Sequence, residues 1–98
     1  QDDYPTISSI YWDRQRILAE IAIAEKEVIP DLEKRLTGCN ERFESYCIQQ
    51  VNSGRDRPEV WPQQLLDERA KYEALIDLRK REVEFLKEKL EQYEEWRR

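Results

Sequence analysis

Histidine and methionine are absent from this 98-residue chain, and glycine (2), proline (4) and cysteine (2) are scarce. Without histidine there is no histidine-based triad, no imidazole metal ligand and no imidazole acid–base pair. Two thiols alone fall short of the ligand set a metal site needs. No Gly-rich phosphate loop is present. No apolar run approaches the roughly 20 residues of a membrane span, and no stretch reads as a signal peptide. A chain without methionine reads as a mature form, an excised domain or the ordered part of something longer, which leaves a cleaved targeting segment open. Cys39 and Cys47 are eight residues apart. On a continuous helix that is about 12 Å of rise, beyond the roughly 7 Å a disulfide tolerates between Cα atoms. Two reduced, packed thiols are expected, a mild pointer to an intracellular setting.

What is present is charge and helix-forming residues. Charged residues make up 40% and hydrophobic ones 39%, with runs of Glu, Lys, Leu and Arg that favour long helices over sheet. The net charge of −5 argues against a nucleic-acid or anionic-membrane partner, both of which need a basic footprint. The basic clusters Arg79-Lys80-Arg81 and Arg97-Arg98 sit among glutamates and read as solvated helix surface. A hydrophobic minority makes a compact globule of this length marginal, so completion by self-association is expected.

The pattern predicts one all-α domain over 1–98: an N-terminal extension (1–8), a first helix kinked near Pro30 (9–51), a loop (52–61) and a second helix (62–97). Thr6, Ser8 and Ser9 offer caps for the first helix. Ile10, Ile17, Ile21, Ala24 and Val28 form a heptad seam that continues through Leu32, Leu36, Cys39, Phe43 and Cys47 after an extra step of four. The alternation "IAIA" at 21–24 is too short, and too closely flanked by glutamates, to be a strand. Pro30 predicts a kink or restart, and Gly38 is a second weak point. Asn52-Ser53-Gly54, Pro58 and Pro62 mark the one clear break. Leu65, Arg69, Tyr72, Ile76, Arg79, Val83, Leu86, Leu90 and Tyr93 form an unbroken second seam with two arginines in it.

Folding back near residue 56 pairs the two seams antiparallel. Leu65 is then expected to meet Ile48, Leu90 to face Ile23 and Ala24, and Tyr93 to lie against Ile17 and Ile21. The result is a long antiparallel, coiled-coil-like hairpin, completed to four helices by dimerisation. The alternative is a three-helix bundle broken near Pro30 or Gly38 and at 52–61. Apolar residues remain outside the intrachain seam and form the candidate interface. Ile10, Tyr11 and Trp12 lie beyond the end of the opposing helix. Leu18, Ala22 and Ile29 lie off the first seam, and Leu75, Leu78, Phe85 and Trp96 off the second. These helices carry wider apolar stripes than a two-stranded hairpin buries.

The glutamates Glu20, Glu25, Glu27, Glu84, Glu88 and Glu91 read as solvated surface, since nothing in the pattern buries them. Cys39 near Gly38 has no base at hand. No catalytic, cofactor or metal residue is expected. The expected function is a non-enzymatic protein–protein interaction or oligomerisation module, with itself or another protein as partner. The alternative is a small acidic regulatory or inhibitor protein that occupies a basic site on its target.

Overall fold

The computed structural model describes residues 7–96, with side chains for 9–95. Among them the chain is an all-α helical hairpin. Helix α1 (Ile7–Ile23) passes through a π turn (Ala24–Val28) directly into α2 (Ile29–Asn52), and α3 (Gln63–Trp96) follows after a loop. Ser8 and Ser9 lie inside the first turn rather than ahead of it, and Thr6 is outside the described residues.

Helical structure is continuous through Pro30 and Gly38, so neither residue divides the first arm. The π turn explains why Pro30 is tolerated. A proline ring collides with the carbonyl four residues back and supplies no N–H. Widening the turn ahead of it relieves the collision: the Ile29 N–H donates to the Ala24 carbonyl, five residues back. The irregularity expected at Pro30 therefore lies in the turn before it. Its extra residue also absorbs the extra step in the heptad pattern. The seam runs Ile17, Ile21, Ala24 and then Ile29, with Val28 only half-buried. Ile29, expected to point away from the seam, is 8% exposed and part of the core.

The chain packs as two compact units, Gln1–Ile29 with Leu78–Arg98, and Pro30–Asp77. In the first, Ile17, Ile21, Ile29, Val83 and Tyr93 form a buried cluster, with Ile10, Ala24, Leu86 and Leu90 packed against it. The Tyr93 hydroxyl donates to the Asp13 carboxylate at 3.1 Å, and Arg14 pairs with Glu94 at 3.2 Å. Tyr93 lies in one cluster with Ile17 and Ile21, as expected, but at the open end the contacts run several residues further: α3 reaches far enough to cover α1 back to Ile10, which is core-packed and not a free surface residue. Ile23, expected opposite Leu90, is instead half-exposed, and Ala24 alone of that pair packs inward.

In the second unit Cys39 and Cys47 are fully buried, with Phe43 and Ile76 also in the interior. Both thiols are free. Ile48 is exposed rather than covered by Leu65. The loop begins with a Schellman closure. The Arg55 N–H donates to the Gln50 carbonyl (2.9 Å) and the Gly54 N–H to that of Val51 (3.0 Å). Gly54 supplies the left-handed residue that this closure requires, at φ +81°. Pro62 caps α3: its carbonyl accepts from the N–H groups of Leu65 and Leu66, both at 3.0 Å.

Candidate interaction surfaces

In the first unit the core stripe of α1 separates two edges, and polar contacts identify each. On one edge Arg14 pairs with Glu94, and Glu25 approaches Lys87 at 3.7 Å. Leu18 lies on the same stripe of α1, four residues after Arg14 and seven before Glu25. Tyr11 and Ala22 continue that stripe. On the other edge Asp13 meets Tyr93. Glu20, seven residues after Asp13, shares a shallow groove there with Arg81, Glu82, Phe85 and Leu86. Leu78 lies seven residues before Phe85, on the same stripe of α3. The candidate interface residues therefore do not form one patch. Tyr11, Leu18 and Ala22 fall on the first edge, and Leu78 and Phe85 on the second.

Exposure separates them further. Phe85 is 64% exposed and Leu78 49%, whereas Leu18 is 37% exposed and Ala22 half-buried. Trp12 is 67% exposed; it lies with Ile23 on the outer face of α1, its ring edge-on to Tyr11 at 5.3 Å between centroids. Leu75 is half-buried in the second unit, and the Trp96 side chain is outside the described residues.

The second unit holds two arrangements that sequence reasoning missed. Trp61, from the loop, stacks on Phe43 of α2 (centroids 4.5 Å apart, planes at 21°), and the Arg69 guanidinium of α3 lies 4.3 Å from a Trp61 ring centroid. The seam arginine at 69 is thus accounted for: its cation rests on the indole, and Glu73 takes its charge at 3.5 Å. Arg57 ties the same loop to Glu44 of α2 at 2.8 Å. The second arrangement surrounds Cys39. Its thiol is 3.6 Å from a Glu68 carboxylate oxygen and accepts from Arg42 at 3.3 Å, while Arg42 also pairs with Glu68. These contacts, led by the one to Cys39, push the Arg42 guanidinium above its usual range and so hold it charged. Glu68 is an acceptor that the sequence pattern did not place beside this thiol. The Cys39 side chain has no accessible surface, so no substrate reaches it; the trio is a polar lid over a packed thiol. The spacing of Cys39 and Arg42, three residues on a helix, was its only visible signal.

The glutamates read from the sequence as solvated surface, Glu20, Glu25, Glu27, Glu84, Glu88 and Glu91, are all exposed. Among the described residues no three or more Cys, Asp or Glu side chains are grouped so as to hold a metal ion, and no helix is long and apolar enough to cross a membrane. No protein-family model, no curated protein and no solved structure matches the chain.

Proposed function

We propose that this protein is a non-enzymatic helical interaction module that acts through apolar side chains on the outside of its hairpin, with a second copy of itself as the first partner. The observation that carries this reading is the exposed Leu78–Phe85 edge of α3, beside a groove of mixed charge and apolar surface. A Phe that is 64% exposed on a regular helix contributes little to the intrachain core. Burial against a partner would gain the roughly 1.5–3 kcal/mol typical of a large apolar side chain. The test is the mass in solution at low and high salt. An apolar contact gives a dimer that persists in salt.

A second reading is favoured by the net charge of −5: an acidic regulatory protein that covers a basic site on a target. That reading predicts a monomer whose binding to the target collapses as salt rises.

A further inference from the structure

In the second unit α2 runs on past the start of α3. Arg35 lies beside the Tyr72 hydroxyl and Arg42 pairs with Glu68, so the two helices are antiparallel there. Glu68, which also meets Cys39, comes five residues after Gln63, the first residue of α3. Five residues of helix rise about 7.5 Å. Gln63 therefore stands near the level of Glu44 to Cys47, and the rest of α2, as far as Asn52, overhangs. Exposure agrees: Ile48 is 57% and Val51 51% exposed. Cys47 stands at the edge of this overhang and is nonetheless fully buried. Loop residues gather around it. Trp61 stacks on Phe43, one turn before Cys47. Arg57 pairs with Glu44 at 2.8 Å. Its guanidinium is pushed above its usual range by that bond first and by the neighbouring Cys47 next. Pro58, Trp61 and Pro62 are half-buried, while the loop residues between them and before them are exposed.

We infer that residues 53–62 are a latched strap, which closes over the end of α2 and opens as a unit, uncovering Phe43 and Cys47 while α2 and α3 stay packed. Nothing in it depends on how the protein associates. The latch consists of one ring stack, one cation over the indole and an ion pair whose side chains are 55% and 57% exposed. Exposed pairs hold weakly, and a segment with few buried contacts opens at a lower free energy than the whole fold. Gly54, at φ +81°, and Pro62, at the foot of α3, bound the segment. Cys39 is sealed differently. Arg42 of α2 and Glu68 of α3 close over it, so its exposure requires the helices themselves to part. With the strap open, Phe43 and Cys47 join Ile48 and Val51 in one apolar side at helical spacing.

The experiment is timed alkylation of the full chain with N-ethylmaleimide. Peptide mass spectrometry follows each thiol, and each rate is scaled to that of the same thiol in the urea-unfolded chain. In native wild type Cys47 should react about tenfold or more faster than Cys39, the mark of a local opening. Urea below the unfolding transition should barely change the Cys47 rate and should raise that of Cys39 steeply, because only the latter exposes much surface. Trp61→Ala should speed Cys47 by about tenfold or more through the lost stack and burial. Ile76→Val, a mild change in the interior that leaves the strap untouched, should speed Cys39 and leave Cys47 unchanged. Circular dichroism checks that each variant keeps its helix content. Equal scaled rates and equal urea dependence for the two thiols in wild type overturn the strap, since both then wait for the same unfolding. A Cys47 rate that Trp61→Ala leaves unchanged overturns it as well. The wild-type comparison decides the matter whether or not a variant folds.

Discussion

The hydroxyl of Tyr93, near the end of α3, donates to the carboxylate of Asp13, in the second turn of α1, at 3.1 Å. Tyr93 is 5% exposed, and its contact with Asp13 fixes how far α3 extends along α1. Tyr93→Phe should cost about 0.5–1.5 kcal/mol, the net value of one such hydrogen bond, in urea unfolding. Burial, and then the bond to Asp13, raise the Tyr93 pKa above the usual tyrosine value. Because the raised group favours its neutral form, its contribution is complete below the unfolded pKa near 10. It is lost as pH rises through the folded value. Stability should therefore fall more steeply in alkali for wild type than for Tyr93→Phe, with the two curves parallel at neutral pH.

The two glycines should respond in opposite directions. Gly38 lies inside α2, and a Cβ there would meet no atom within 4 Å. Gly38→Ala should stabilise by about 1 kcal/mol, the difference in helix propensity. Gly54 holds φ +81° in the closure at the end of α2. Gly54→Ala should destabilise by about 1 kcal/mol, since a Cβ is strained in that region. Denaturant midpoints at unchanged slope test both.

The π turn makes a prediction about chain length. If its extra residue serves only to carry the helix past Pro30, deleting exposed Glu27 together with Pro30→Ala should leave a regular α-helix with Ile29 still on the core face. Helix content and thermal midpoint should be retained or improved. Deleting one residue within regular α1, such as Gln15, should instead rotate one part of the stripe by about 100° against the rest and lower stability sharply. Equal loss from both deletions would contradict the role assigned to the turn.

Trp61 should behave as the latch of the loop. Trp61→Ala should cost about 2 kcal/mol through lost burial. A double-mutant cycle with Phe43→Ala should return a coupling of about 0.5–1.5 kcal/mol, as expected of stacked aromatics. Additive effects would mean that the rings touch without holding the loop.

Much of the hairpin was legible because α3 keeps a faultless four–three pattern from Leu65 to Tyr93 and turn residues gather at 52–62. The pairing at the open end was not. Apolar side chains match one another at several offsets, and only directed contacts, such as Tyr93 to Asp13, choose among them. The position of Ile29 was hidden for a different reason. Periodicity assumes a constant number of residues per turn, and one π turn breaks that assumption without leaving a distinctive residue behind. Leu78 and Phe85 were visible as off-seam residues. That Leu18 lies on the opposite edge needed the ion pairs Arg14–Glu94 and Glu25–Lys87.

We propose that this protein meets a second copy of itself at the exposed edge around Phe85. Light scattering across a concentration series, on wild type and Phe85→Glu, tests it most directly. Wild type should approach twice the 12.0 kDa chain mass as concentration rises, at low and high salt, while Phe85→Glu keeps its helix content and stays at the chain mass. A wild type that remains at 12.0 kDa at every concentration, or a Phe85→Glu variant that associates as strongly as wild type, would contradict it.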